Sequence, residues 1–387
     1  MRECRECGFP VKFARLFDWR SDGTIVNTNS GKTCSRITFL EADELESLFA
    51  DLSNNVGINP DRFLVQAQKS ISKAICANLP IRHIKRIPNT RAFRPQSLVG
   101  LLARLIAVDI AGLGNGRLSL DHYVAGKTLV VRFKNPVLVP LLVGDVAGFY
   151  ESIENTHGSN VEYGLEDGDL IVKLTRKKES AAEQDRLYLE KVVPGEGPLR
   201  YERCLRCGVP EQVARTFVWD IERGIIINRR TKKRDVIVAA QSMNIILREL
   251  EMELGEDVPR LAYDHQKALA AKELETAICE NAAAFLDRCM MNLALRGLGH
   301  PSRFEFDGSS LSVKTSTAYN QYLYAARLAA ALEKVTGKTS DIKWENRHFN
   351  RGAYTISTKT KAKARSQAPS TSPSTATSNQ GSGNVYR

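Results

Sequence analysis

The sequence predicts an α+β protein made of two homologous units, each an antiparallel sheet packed with helices and preceded by a Cys-x-x-Cys zinc knuckle and a β-hairpin. Three observations carry this prediction. Residues 4–10 read CRECGFP and residues 204–210 read CLRCGVP, one Cys-x-x-Cys-Gly-x-Pro pattern written twice. The flanks match in the same order: ARLFDW…GTIVN (14–27) with ARTFVW…GIIIN (214–228), ICAN (75–78) with ICEN (278–281), and IAGLGNGRL (110–118) with LRGLGHPSRF (295–304). Collinear matches of this kind mark an internal repeat. Strand-like and helix-like stretches also segregate within each unit, which favours antiparallel sheets over repeated βαβ crossovers.

Each element then has its own reason. After the cysteine turn, the ARLFDW/TIVN and ARTFVW/IIIN stretches read as short strand pairs around a glycine turn. Residues 41–55 and 241–255 place apolar side chains at three- and four-residue intervals, the mark of an amphipathic helix. A second helical block carries Cys76 in the first unit and Cys279 in the second. GKTLVVRF (126–133) and SSLSVKT (309–315) alternate as strands do. A further helix, at 137–154 or 319–337, leads to a closing strand at 167–174 or 352–357. The expected organisation is a first unit over 1–175, a charged linker over 176–200, a second unit over 201–358 and a basic tail over 359–387. The linker ends in PGEGP at 194–198, a sequence that breaks helices.

The chain has 387 residues, 43% of them hydrophobic, enough for two cores of ordinary size. The most apolar stretches, 97–114 and 135–150, are interrupted by Arg104, Asp109 and Asp145 and are too short to span a bilayer. No signal peptide is visible after Met1, and eight cysteines in such a chain argue for free thiols. The expectation is a soluble, cytoplasmic protein. The net charge of +11 looks like a nucleic-acid signal until it is located, because five of those charges sit from Lys359 onward. That tail is rich in Ser, Thr, Pro and Gly, cannot build a core, and is expected to be disordered.

Residues 135–174, NPVLVPLLVGDVAGFYESIE followed by VEYGLEDGDLIVKL, resemble the 4-vinyl reductase domain. That family is known from bacteriochlorophyll biosynthesis and from regulators that sense aromatic compounds or hydrocarbons. The likeness lies in a helix with a small residue every fourth position, then Glu, then a strand pair rich in acids and glycine. Gly144, Gly148 and Glu151 hold those places here, and Ala326, Ala330 and Glu333 hold them in the second unit. Neither closing strand carries the cysteine that usually ends the family's domain, and no helix-turn-helix or ATPase module accompanies it. The resemblance implies a cavity between sheet and helices and a small hydrophobic or aromatic ligand. It implies binding more than turnover.

The cysteine turns carry the clearest chemistry. Two thiolates two residues apart can point at one ion while glycine lets the chain turn beneath them, and zinc wants four ligands in a tetrahedron. One turn supplies two, and within each unit nothing completes the set, since Cys34 has no counterpart in the matching hairpin RRTKKRD. The economical arrangement is a single structural zinc site of Cys4, Cys7, Cys204 and Cys207 across a pseudo-twofold axis. A redox dithiol and an iron–sulfur cluster are the competing readings, and neither finds its usual sequence context.

Other features divide between a structural and a functional role. Gly144 and Gly148 permit either close helix packing or a ligand-facing groove. Cys76 and Cys279 are either small buried hydrophobes or cavity-lining thiols. The insertion at 82–94, with Arg82 and Arg86 among its five basic residues, is a solvated loop, an anion receptor or a contact for a phosphate backbone. NSGKT (29–33) lacks the earlier glycine of a phosphate loop, and GLGNG (112–116), whose counterpart reads GLGHP, is a helix end rather than a dinucleotide motif. No nucleophile–base pair, carboxylate pair or open metal site is evident, so catalysis finds no support. The leading expectation is a binding protein that senses, carries or presents a small apolar molecule, with homo-oligomerisation left open. The alternatives are an enzyme or assembly factor acting on a tetrapyrrole or aromatic substrate, and a zinc-dependent nucleic-acid or protein adaptor.

Overall fold

The computed structural model describes residues 1–28, 35–57, 59–77, 95–177, 195–347 and 352–358. Cys34, the insertion with Arg82 and Arg86, most of the linker and the tail lie outside the described residues.

The protein is mixed α+β with antiparallel sheets. Its first half runs α1 (Val11–Leu16), β1 (Phe17–Trp19), β2 (Ile25–Asn27), β3 (Ser35–Glu41), α2 (Ala42–Val56), α3 (Asp61–Ala77), α4 (Pro95–Gly112), β4 (Arg117–Val124), β5 (Thr128–Lys134), α5 (Val139–Glu154), β6 (Ser159–Glu166) and β7 (Asp169–Arg176). The second half repeats that order of helices and strands. It runs α6 (Glu211–Thr216), β8 (Phe217–Asp220), β9 (Ile225–Asn228), β10 (Arg234–Ala239), α7 (Ala240–Leu254), α8 (Val258–Leu274), α9 (Ala282–Leu295), β11 (Arg303–Phe306), β12 (Ser310–Thr315), α10 (Gln321–Thr336), β13 (Ser340–Arg347) and β14 (Gly352–Thr358).

Two expectations are corrected at the start of each half. ARLFDW and ARTFVW are not strands throughout, because Pro10 and Pro210 set a helical entry and the chain stays helical to Leu16 and Thr216. Nor does each half keep its own hairpin sheet. The strands join into one six-stranded sheet of order β1-β2-β3-β10-β9-β8, with β3 and β10 antiparallel at its centre. Phe39 stands opposite Ile237 at the midpoint of that pairing. Arg36 and Arg234, each of which donates to a glycine carbonyl of the other half, are placed alike about this pair.

Each half also carries a four-stranded sheet, β4-β5-β7-β6 or β11-β12-β14-β13. In the first, Leu129, Val131 and Phe133 of β5 and Leu170, Val172 and Leu174 of β7 alternate inward, as period-two strands must, and meet Leu142, Val143, Val146 and Ala147 of α5. Helices cross between halves, α2 packing on α8 and α3 on α7. The largest core therefore mixes Leu45, Leu48 and Leu52 with Met243, Ile246 and Leu250. A buried ion pair, Glu44 with Arg327, also crosses that junction. Among the described residues no helix is long and apolar enough to cross a membrane.

Candidate metal centre

The two cysteine turns are superposable in their hydrogen bonds. Cys4 N donates to Phe9 O at 2.8 Å and Gly8 N to Cys4 O at 2.9 Å, while Cys204 N donates to Val209 O and Gly208 N to Cys204 O, both at 2.9 Å. Gly8 and Gly208 have φ of +75° and +76°, a left-handed conformation that glycine adopts without penalty. Each turn is pinned from below by the residue after its glycine. Phe9 and Val209 enter an aromatic layer with Phe13, Phe17, Trp19, Phe39, Phe217 and Trp219. Within it Phe9 meets the Trp219 ring edge-on at 4.7 Å between centroids, and Phe39 stacks on Phe217 at 4.7 Å. The layer rests on the central sheet, so both turns are presented on one platform.

On that platform the four sulfurs converge. Cys4 Sγ lies 3.9 Å from Cys204 Sγ, Cys7 Sγ lies 3.4 Å from Cys207 Sγ, and all four lie within 4.8 Å of one another. A tetrahedral zinc with bonds of about 2.3 Å requires sulfur–sulfur edges of about 3.8 Å. The donors therefore fit a four-thiolate ion, and they are too far apart for disulfides, whose bond is about 2.05 Å. Thiolates are soft ligands, suited to zinc or iron.

Electrostatics in the cluster point the same way. Burial pushes the Cys4 thiol up, but the N–H groups of Cys7 and Glu6 and the sulfurs of Cys7 and Cys207 hold it down at about 7. Burial and the sulfurs of Cys4 and Cys204 push Cys7 and Cys207 up. One thiolate forms readily and opposes the next, so full ionisation calls for a cation among them. A metal ion held by all four donors would keep no open coordination position.

The remaining sequence candidates are scattered. Cys76 is buried near the end of α3 beside Val99 and Ile153. Cys279 does not occupy the matching place on a helix, since α8 ends at Leu274 and Cys279 sits in the connection to α9. Gly144 and Gly148 face α3: a Cβ on Gly144 would lie 2.6 Å from Val65 O, and one on Gly148 would lie 2.5 Å from Lys69 O. They serve close helix packing, one of the two roles the sequence allowed. Glu151 meets Lys69, Lys73 and Ser159, and Glu333 correspondingly meets Lys267 and Ser340.

Sequence reasoning missed a clasp between the halves. The Trp19 indole Nε1 donates to Leu295 O at 3.1 Å, and Trp219 Nε1 donates to Gly112 O at 2.9 Å. Arg36 Nη2 donates to Gly297 O at 2.8 Å and Arg234 Nη2 to Gly114 O at 2.7 Å. Gly299 N reaches Gly23 O, and Gly116 N reaches Gly224 O. Each half thus tucks its Gly-x-Gly loop beneath the other half's hairpin. These contacts align Gly114 and Gly116 with Gly297 and Gly299, two residues out of phase with the letter-by-letter match. The second half therefore keeps its glycines, contrary to the expectation from GLGHP. The paired tryptophans of FDW and FVW were the available signal.

Comparison of this chain with family models, curated proteins and solved structures finds no match.

Proposed function

We propose that this chain is a tandem duplicate of a 4-vinyl-reductase-like unit and that one structural zinc ion, held by Cys4, Cys7, Cys204 and Cys207, fixes the two copies together. Its role in this reading is to bind a small, largely apolar molecule for sensing, carriage or presentation. The observation that carries the proposal is the convergence of four sulfurs, two from each half, within 4.8 Å. The repeated element order and the mirrored clasp support duplication.

Support for a ligand comes from an asymmetry between the halves. Matched through the Lys69–Glu151 and Lys267–Glu333 pairs, Val65 and Gln68 of α3 correspond to Tyr263 and Gln266 of α8. Val172 of β7 corresponds to Tyr354 of β14, since each stands opposite a valine of the neighbouring strand. In the first half Gln68 Nε2 donates to Asp145 at 2.8 Å. In the second, the Tyr263 and Tyr354 hydroxyls and both amide atoms of Gln266 are buried with no hydrogen-bond partner among the described residues. Such groups cost about 1–3 kcal/mol each when left unpaired. A small molecule with an apolar body and one or two polar atoms would satisfy them.

Native mass spectrometry of the intact chain tests both parts. One metal ion per chain, lost entirely in Cys204→Ser, supports the shared site, and retention of metal by that variant refutes it. A retained small molecule, weakened by Tyr263→Phe or Tyr354→Phe, supports the binding role. Protein that carries none, whether as purified or after exposure to apolar aromatic compounds, argues against it.

A further inference from the structure

We infer that Cys7 and Cys207 form a redox-modification site: a hydroperoxide joins them into a disulfide between the halves and expels the metal. This rests on the zinc reading above and adds to it a chemistry that a closed structural site does not by itself imply.

The four sulfurs are unequal in two independent respects. Cys4 and Cys204 are 4% and 2% exposed, while Cys7 and Cys207 are only part-buried. Beside the outer pair, a Cβ built on Gly8 or Gly208 would meet nothing within 4 Å, so the outer face of each turn is open to a small oxidant. The outer pair is also the closer one, 3.4 Å against 3.9 Å for the inner pair. Peroxide thus reaches Cys7 or Cys207 first, and the nearest cross-half sulfur to whichever reacts is the other. The aromatic layer beneath both turns holds them in register while the bond forms.

The reaction balances as follows. One thiolate attacks the hydroperoxide, forming an S–O bond as the O–O bond breaks, and the departing alkoxide takes a proton and leaves as the alcohol. The second thiolate attacks that sulfenic sulfur, forming the S–S bond as the S–O bond breaks, and hydroxide takes a proton and leaves as water. Each sulfur loses one electron and the peroxide gains two. Only two thiolates, Cys4 and Cys204, would then remain of the four that a closed zinc site requires, so a bound ion would be released.

Trypsin makes the connectivity readable, because Arg5 and Arg206 lie between the two cysteines of each turn. Cys4, Cys7, Cys204 and Cys207 therefore fall on four different peptides. The zinc-loaded full chain is treated with one equivalent of hydrogen peroxide, remaining thiols are alkylated, and linked peptides are mapped while released zinc is titrated with a chromogenic chelator. Expected are peptide 6–12 linked to peptide 207–215, one zinc released per link, and recovery of the zinc-loaded form after dithiothreitol and zinc. A link within one turn, a link between Cys4 and Cys204, sulfinic or sulfonic acids without a link, or zinc retained in the oxidised chain would each overturn the inference. A reduced protein that holds no metal as purified and takes up no zinc sinks the zinc reading instead, and the peptide map still decides which cysteines pair.

Discussion

Replacing Gly148 by alanine separates the two roles open to the small residues of α5. The new methyl would sit 2.5 Å from Lys69 O, 2.7 Å from Ser72 Cβ and 3.1 Å from Lys73 N. Two of those atoms are backbone, so rotating a side chain offers no relief, and α3 must retreat by roughly 1 Å to restore ordinary contact. Overpacking of this kind costs about 1–3 kcal/mol. Alanine returns at most about 1 kcal/mol in helix propensity. The net expectation is a loss of about 1–2 kcal/mol, read as a lower urea midpoint with an unchanged slope. Gly144→Ala meets Val65 O at 2.6 Å and behaves alike, and the double variant costs less than the sum, because α3 retreats once for both. In α10 the matching residues are Ala326 and Ala330, so that contact already accommodates methyl groups. A Gly148→Ala chain that gains about 1 kcal/mol would refute this reasoning, placing the glycine beside open space and restoring the ligand groove.

Two further predictions follow from the junction between the halves. Burial raises Asp235 from 3.8 to about 7, helped by Glu41, Glu44 and Glu273 and only partly opposed by Arg296 at 3.4 Å. The folded chain holds that proton more tightly than the unfolded one, so the contribution to stability is complete below pH 4 and is lost as pH rises to 7. Asp235→Asn should remove a slope worth on the order of 4 kcal/mol across that window in denaturant titrations, leaving the smaller slope of Asp145, which burial raises to about 6. An unchanged pH profile would show that Asp235 titrates normally. Trp19→Phe and Trp219→Phe each leave a buried carbonyl without its indole donor and should cost about 1–3 kcal/mol apiece, by similar amounts. A silent substitution on one side would break the equivalence of the two clasps.

What the sequence revealed and what it hid divide along physical lines. The cysteine turns were legible because thiolate spacing and a following glycine specify their geometry locally. Helices α2 and α7 were legible because each buries one face, whereas α5 and α10, buried nearly all round, were legible as long apolar runs. The edge strands β4 and β11 were missed because little of either face is buried, which leaves no alternation to read. The joining of β3 to β10 was hidden for a different reason. Residues 36–41 are buried without interruption, as in a strand covered on both faces, yet they read RITFLE, and Arg36, Thr38 and Glu41 break the apolar run that would mark a central strand. Once those strands pair, the rest of the junction follows from it. Each Gly-x-Gly loop reaches the other half's tryptophan and arginine only because the hairpins are already side by side. The sheet, the clasps and the shared helical core thus join the halves without the metal. An ion held as proposed by Cys4, Cys7, Cys204 and Cys207 would then tie only the outer turns of the two halves to each other, and its loss to oxidation would leave the fold beneath it standing.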